Sequence, residues 1–163
     1  MFEWGLIKPL EYTGEDAFNE EGGQPAVFPN ILRHSAGGGA INLYWRTPLD
    51  DTHTQSFWLG FTPSPNGEIV EEDEDPPFTY IVLKDDEGYF HLKSFPSQDS
   101  MAWETQGPLR DRSLEHLGAS DAGVVMWRQL LRENIERVRR GEDPMGVIRN
   151  PDLYRIIEFP DYR

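Results

Sequence analysis

The sequence predicts an α+β protein, an antiparallel sheet curved around one long C-terminal helix. Three observations carry this. The first 95 residues read as a succession of short strands. A long helix with one apolar stripe spans residues 121–140. The order is strands first and helix last, which favours a segregated sheet-and-helix layering.

Each element follows from its residues. "FEWGLIKPL" is short and partly alternating. "AVFPNILRH" (26–34) carries a proline, which cannot donate to a ladder and suits an edge or a bulge. Three glycines in "HSAGGG" favour a tight loop. In "AINLYWRTP" (40–48), Ile41, Leu43 and Trp45 fall on one face and Asn42, Tyr44 and Arg46 on the other. "THTQSFWLGFTP" (52–63) repeats the pattern, and the turn-type "PLDD" between the two predicts an antiparallel pair. "FTYIVLKDDEGYFHLKSF" (78–95) reads as a hairpin turning at "DDEG".

Residues 63–77 read as a loop. Its acidic run, Glu71–Asp75, lacks the glycine and final Glu of an EF-hand loop and reads as solvated. After Phe95 the character changes. Ser97 is placed to cap a short helix, Gln98 to Gln106, stopped by Gly107 and Pro108. A loop containing "DRSLEHLG" follows. Ser120 then caps the long helix, on which Val124, Trp127, Leu131, Ile135 and Val138 form a stripe. Glu133–Arg137 and Glu136–Arg140 stand four apart on its wet side. Gly141 is a fitting stop, and the tail reads as an extended strap with an apolar segment at Tyr154–Phe159.

Composition narrows the function classes. The chain has 163 residues, 37% hydrophobic and 12% aromatic, enough for one domain with a core. Its net charge of -14 repels nucleic acid and anionic membranes, so neither is expected as a partner. There is no cysteine, which excludes disulfides, a thiol nucleophile, thiolate zinc and an iron–sulfur cluster held by this chain. That fits a cytoplasmic protein. No apolar run reaches membrane-spanning length, and "MFEWGLIKPLEY" lacks the basic head and apolar middle of a signal peptide.

Motifs for chemistry are sparse. His34, His53, His91 and His116 form no pair at metal-ligand spacing, and each alone reads as a hydrogen-bonded structural histidine or as a ligand that nothing in the spacing selects. No serine sits in a GxSxG elbow. "AGGGA" precedes a strand, so it fails the dinucleotide test. Asp99, in "SFPSQDSMAWETQGP", has two readings. In one it is a first-turn residue favoured by the helix dipole and free N–H groups. In the other it is the carboxylate of a two-histidine, one-carboxylate iron site.

Four stretches occur in this order: "VFPNILRHSAGGG", "WRTPLDDTHTQSFWLGF", "SQDSMAWETQGPLRDRSLEHLGASDAGVVMWRQLL" and "GEDPMGVIRNP". Together the chain resembles the C-terminal half of the catalytic domain of Rieske non-haem iron ring-hydroxylating oxygenases, closest to phthalate 4,5-dioxygenase-like oxygenase components. The resemblance spans nearly the whole chain and is most specific over residues 97–128. It implies a helix-grip (Bet v 1/START-like) fold with a cavity between sheet and helix. It implies mononuclear Fe(II), with Asp99 as the metal ligand from the "QD" of the motif. The other two family ligands come from a D-x-x-H-x-x-x-x-H segment that this sequence does not contain.

It also implies a [2Fe–2S] cluster on a separate N-terminal Rieske domain, and NAD(P)H electrons delivered through a separate reductase. The substrate would be aromatic, hydroxylated or oxidatively O-demethylated, and the complete enzyme a trimer-based homo-oligomer. Residues 1–163 then represent the C-terminal part of the catalytic domain, with no Rieske domain in this chain, not competent alone. Strands 40–47 and 52–61 and the 78–95 hairpin are expected to meet substrate on one face, which the sequence does not select. A non-catalytic small-molecule-binding module of helix-grip fold, and an interaction subunit pairing with a chain that carries the missing half, are the alternatives.

Overall fold

In the computed structural model, residues 1–8, 23–35, 39–64, 66–68, 75–154 and 156 are described. Five strands form one open antiparallel sheet: β1 (Gly5–Lys8), β2 (Gln24–Val27), β3 (Ile31–Ser35), β4 (Ile41–Pro48) and β5 (Thr54–Phe61). Their spatial order is their chain order. The register pairs Leu6 with Ala26, Ala26 with Leu32, and Leu32 with Tyr44. Consecutive strands are neighbours in the sheet, the order of a meander.

The proline of "AVFPNILRH" does not mark a bulge in one strand. It stands in the turn between β2 and β3, where Phe28–Pro29 is a cis peptide. Gly5 is required where it stands. Its φ is +154°, and a Cβ there would lie 2.0 Å from the carbonyl oxygen of Ala26. The β4–β5 connection closes as expected, with Leu49 N–H donating to the carbonyl of His53 at 2.9 Å.

Two helices follow the sheet: α1 (Phe95–Glu104) and α2 (Ala122–Arg139). The expected α2 is present, but its start and its stripe are corrected. Ser120 lies inside a 3-10 turn, Ala119–Asp121, and the N-cap position is Asp121. The buried residues are Leu130 and Asn134, flanked by half-buried Trp127 and Leu131, whereas Val124, Ile135 and Val138 are exposed. The apolar stripe read from spacing is therefore rotated by about one residue. The two i,i+4 pairs also give way. Glu136 pairs with Arg139, Glu142 with Arg140, and Gln129 donates to Glu133. Gly141, at φ +78°, stops the helix as expected.

The chain divides into two compact units. The first comprises residues 1–47, 55–63 and 116–163. Its core forms where α2 meets the β1–β2 end of the sheet: Leu6, Val27, Phe28 and Leu130 are buried, and the Phe28 and Trp127 rings stand 5.9 Å apart. Asn134 ties α2 to the segment beyond it, donating to Leu130 O at 2.8 Å and accepting from Met145 N–H at 2.6 Å.

The second unit comprises residues 48–54 and 64–115. It holds the expected hairpin in reduced form. "DDEG" makes the turn: Asp85 N–H donates to Tyr89 O at 2.9 Å, and His91 N–H to Leu83 O at 2.8 Å. One isolated bridge joins Lys84 to Phe90, and residues 78–82 take no strand pairing among the described residues. The acidic run at 71–74, two of the three glycines of the 37–39 loop, and most of the Tyr154–Phe159 tail lie outside the described residues.

Candidate functional site

Asp99 decides whether the chain carries a ligand, so α1 comes first. The helix starts three residues earlier than the sequence suggested. Ser94, with extended backbone (φ −133°, ψ 151°), is the N-cap, and its side chain accepts from Ser97 N–H at 3.4 Å. Pro96 sits in the first turn, where a missing N–H costs nothing. Buried Ser97 shares a hydroxyl hydrogen bond with Ser94 at 2.9 Å and caps nothing itself. Gln98 Nε2 donates to Leu92 O at 2.8 Å, and Lys84 forms an ion pair with Glu104 while its Nζ stands 4.5 Å from the Phe90 ring centroid. The 83–92 turn thus holds α1 at both ends.

This shift moves Asp99 out of the first turn. It lies in the second, exposed, and the first turn contains no acidic residue. The free N–H groups that make a cap lie in the first turn, so the capping reading has no geometric basis. Among the described residues its carboxylate has no hydrogen-bonding partner, which leaves both oxygens available to a cation.

The histidines are placed apart from such a role. His53 donates its Nδ1–H to Asp50 Oδ2 at 2.9 Å, at the tip of the β4–β5 hairpin. The Asp50 carboxyl is held down to about 2, first by the Thr52 N–H and then by the His53 ring and the Thr52 hydroxyl. His34 Nδ1 accepts from Gln24 Nε2 at 2.9 Å, which fixes it as the Nε2–H tautomer. His91 and His116 are exposed. No three His, Asp or Glu residues come together in a way that would hold a metal ion among the described residues. A mononuclear iron site therefore does not fit the described residues as a full set: one carboxylate is present and two histidine ligands are not.

The structure does assemble something the sequence left scattered. Across β2–β5 one sheet face bears Gln24, His34, Tyr44 and Trp58 in contact. The His34 and Tyr44 rings meet edge-on at 5.3 Å, and Tyr44 and Trp58 at 5.1 Å. Alternation within β4 had placed Asn42, Tyr44 and Arg46 together. The strand register was needed to bring His34 and Trp58 beside them. The depression lined by Arg132, Glu133, Glu136 and Arg137 on α2 holds charges of both signs that pair locally, and carries no further chemistry. Among the described residues no helix is long and apolar enough to cross a membrane.

Comparison with known proteins gives this geometry its context. The family described as "LigXa C-terminal domain like" matches residues 81–157, the stretch that contains α1 and α2. The chain is 34% identical over 138 residues to the 5,5'-dehydrodivanillate O-demethylase oxygenase subunit of Sphingobium sp., covering 85% of this chain and 31% of that protein. It is 32% identical over 155 residues to the phthalate 4,5-dioxygenase oxygenase subunit of Pseudomonas putida, covering 80% and 33%. It is 28% identical over 142 residues to the phenoxybenzoate dioxygenase subunit alpha of Ectopseudomonas oleovorans, covering 82% and 32%. The chain thus spans about a third of the length of these curated relatives. The resemblance drawn from the sequence is borne out, phthalate 4,5-dioxygenase included.

Proposed function

From this kinship with the C-terminal part of oxygenase subunits, we propose that the chain is part of the catalytic domain of an aromatic ring-hydroxylating or O-demethylating oxygenase. The observation that carries the reading is the similarity to three named oxygenase subunits over four-fifths or more of the chain. Residues 1–163 are then the C-terminal part of that domain, of helix-grip type, and a Rieske domain lies outside them.

In the whole protein Asp99 is the carboxylate ligand of mononuclear iron. Its exposure in the second turn of α1, without a capping role, supports this. The remaining ligands, the [2Fe–2S] cluster and the reductase that passes on NAD(P)H electrons belong to other parts of the system. The chain's own contribution is a carboxylate held on a helix braced by Lys84–Glu104 and Gln98–Leu92, together with a sheet face that meets the aromatic substrate. By itself the chain is not a competent oxygenase.

A chimera tests the reading. Residues 1–163 replace the matching C-terminal part of the Pseudomonas putida phthalate 4,5-dioxygenase oxygenase subunit. Asp99→Ala is expected to abolish substrate oxidation and lower mononuclear iron occupancy while the Rieske cluster still reduces. Asp111→Ala and Asp121→Ala control for general loop or helix damage. Full iron and activity in Asp99→Ala overturns the assignment.

One observation favours a second reading. The missing metal-binding group among the described residues suits a non-catalytic binding or interaction module that keeps the fold without the redox chemistry. An inactive chimera with an intact Rieske cluster and normal iron supports it.

A further inference from the structure

We propose that Asn66 is a site of spontaneous covalent modification, converted by water to a mixture of aspartate and isoaspartate. The inference stands apart from the oxygenase reading, since it rests on the Asn66–Gly67 loop and not on the chain's kinship.

The reaction makes three demands of an asparagine. The next residue's backbone nitrogen must carry a hydrogen, it must reach the side-chain Cγ unhindered by a Cβ, and the side-chain amide must not be held elsewhere. The nitrogen then attacks Cγ. The N–Cγ bond forms, the Cγ–Nδ2 bond breaks, and ammonia leaves with the backbone proton. Water opens the resulting succinimide at either carbonyl. Breaking the ring bond at Cγ gives aspartate. Breaking the one at the main-chain carbonyl gives isoaspartate, whose backbone runs through the side chain. Nothing is oxidised or reduced, and either route exchanges ammonia for water and adds a negative charge.

The fold closes this route at the other described asparagines. Asn150 precedes Pro151, which has no N–H, and its side chain accepts from Asp152 N–H at 3.0 Å. Asn134 is buried, and both ends of its amide are held, by Leu130 O and by Met145 N–H. Asn42 is fixed in β4 opposite His34 and precedes Leu43. Asn30 precedes β-branched Ile31 at the head of β3 and donates to the Thr47 hydroxyl at 3.2 Å. Asn19 precedes Glu20 and lies outside the described residues.

Asn66 alone precedes a glycine. It is exposed, and its side chain makes no hydrogen bond among the described residues. Gly67 is exposed too, at φ +68°, and a Cβ there would meet nothing within 4 Å. Water therefore has free access, and the glycine backbone can rotate to bring its nitrogen to Cγ. One contact opposes the attack, because Gly67 N–H donates to Ser64 O at 3.0 Å. A single exposed bond of this kind holds the nitrogen back by no more than about tenfold. The product places a further charge in the loop after β5 and, as isoaspartate, an extra backbone carbon.

The full 163-residue chain is incubated in neutral buffer at physiological temperature, folded and, in parallel, unfolded in guanidinium chloride. Samples are compared with unincubated chain by tandem mass spectrometry of digests. Isoaspartate is measured with protein isoaspartyl methyltransferase and labelled S-adenosylmethionine. In the folded chain Asn66 is expected to gain the one-dalton shift about tenfold faster or more than Asn30, Asn42, Asn134 or Asn150. Its peptide should take up methyl label, and the rate should rise with pH, because the attacking nitrogen must lose its proton. Asn66→Gln should abolish the mass gain in that peptide. Gly67→Ala should slow it by about tenfold, and Asn66→Gln carries the test alone should Gly67→Ala disturb the loop at its positive φ.

An Asn66 that stays unchanged in the folded chain overturns the proposal. Conversion confined to the unfolded chain would then show that the Ser64 contact protects the site. Equal rates at Asn66 and at Asn30 or Asn42 overturn it as well, as does a mass gain in the same peptide that persists in Asn66→Gln.

Discussion

Met145 donates its backbone N–H to the side-chain oxygen of Asn134 at 2.6 Å, eleven residues back on the buried side of α2. The Asn134 amide also donates to Leu130 O, so one buried polar residue serves both the helix and the chain leaving it. Asn134→Ala strands the Met145 N–H, and an unsatisfied buried donor costs about 1–3 kcal/mol. Urea unfolding is expected to show a lowered midpoint with an unchanged slope. A midpoint equal to that of the parent would mean water replaces the tie.

The helix-cap assignment separates Ser94 from Asp99. Ser94→Ala removes the side-chain acceptor of the Ser97 N–H and is expected to cost about 1 kcal/mol. Asp99→Asn, which touches no cap, should stay within about 0.5 kcal/mol of the parent, as surface substitutions do. The two are compared by thermal unfolding under one buffer. A loss at Asp99 as large as that at Ser94 would restore the capping role.

Asp50 gives a pH signature. Its folded carboxyl lies near 2, below its ordinary value of 3.8, because Thr52 and His53 donate to the charged form. A depressed carboxyl adds stability that is present above about 4 and lost as pH falls through 2. Carbon-detected NMR titration should place the Asp50 midpoint near 2. In Asp50→Asn the acid-side loss in that window should shrink. A midpoint at the ordinary aspartate value would show that the hairpin tip opens in solution.

The outer edge invites association. Among the described residues β5 is the last strand of the sheet, eight residues long, and Phe57, Leu59 and Phe61 are exposed along one face. It holds no lysine, proline or other charge of the kind that guards an edge. The purified chain is expected to self-associate despite its charge of -14. Leu59→Lys should shift sedimentation-velocity profiles towards monomer. A parent chain that is already monomeric at high concentration contradicts this.

Much of the architecture was written in local pattern. Period-two alternation gave β4 with both faces assigned and β5 as a second alternating strand, and the helical period gave α2 within two residues of its ends. The order and spacing of residues 97–128 were enough to name a family, because side-chain identities in sequence are what relatives share. Local pattern could not fix what depends on a competing neighbour. Ser94 and Ser97 are equal candidates for a cap until backbone geometry selects Ser94, and that choice alone removes Asp99 from the first turn. Val124 and Leu130 are equally apolar, but the surface of β1 and Phe28 decides which one is buried. The row from Gln24 to Trp58 spans four strands, and no pattern within one strand states the register that aligns them. Sequence by itself determined most of the elements, the two faces of β4 and the kinship. The tertiary structure decided which residues from different elements meet, since contact across strands depends on pairing that only the folded chain sets.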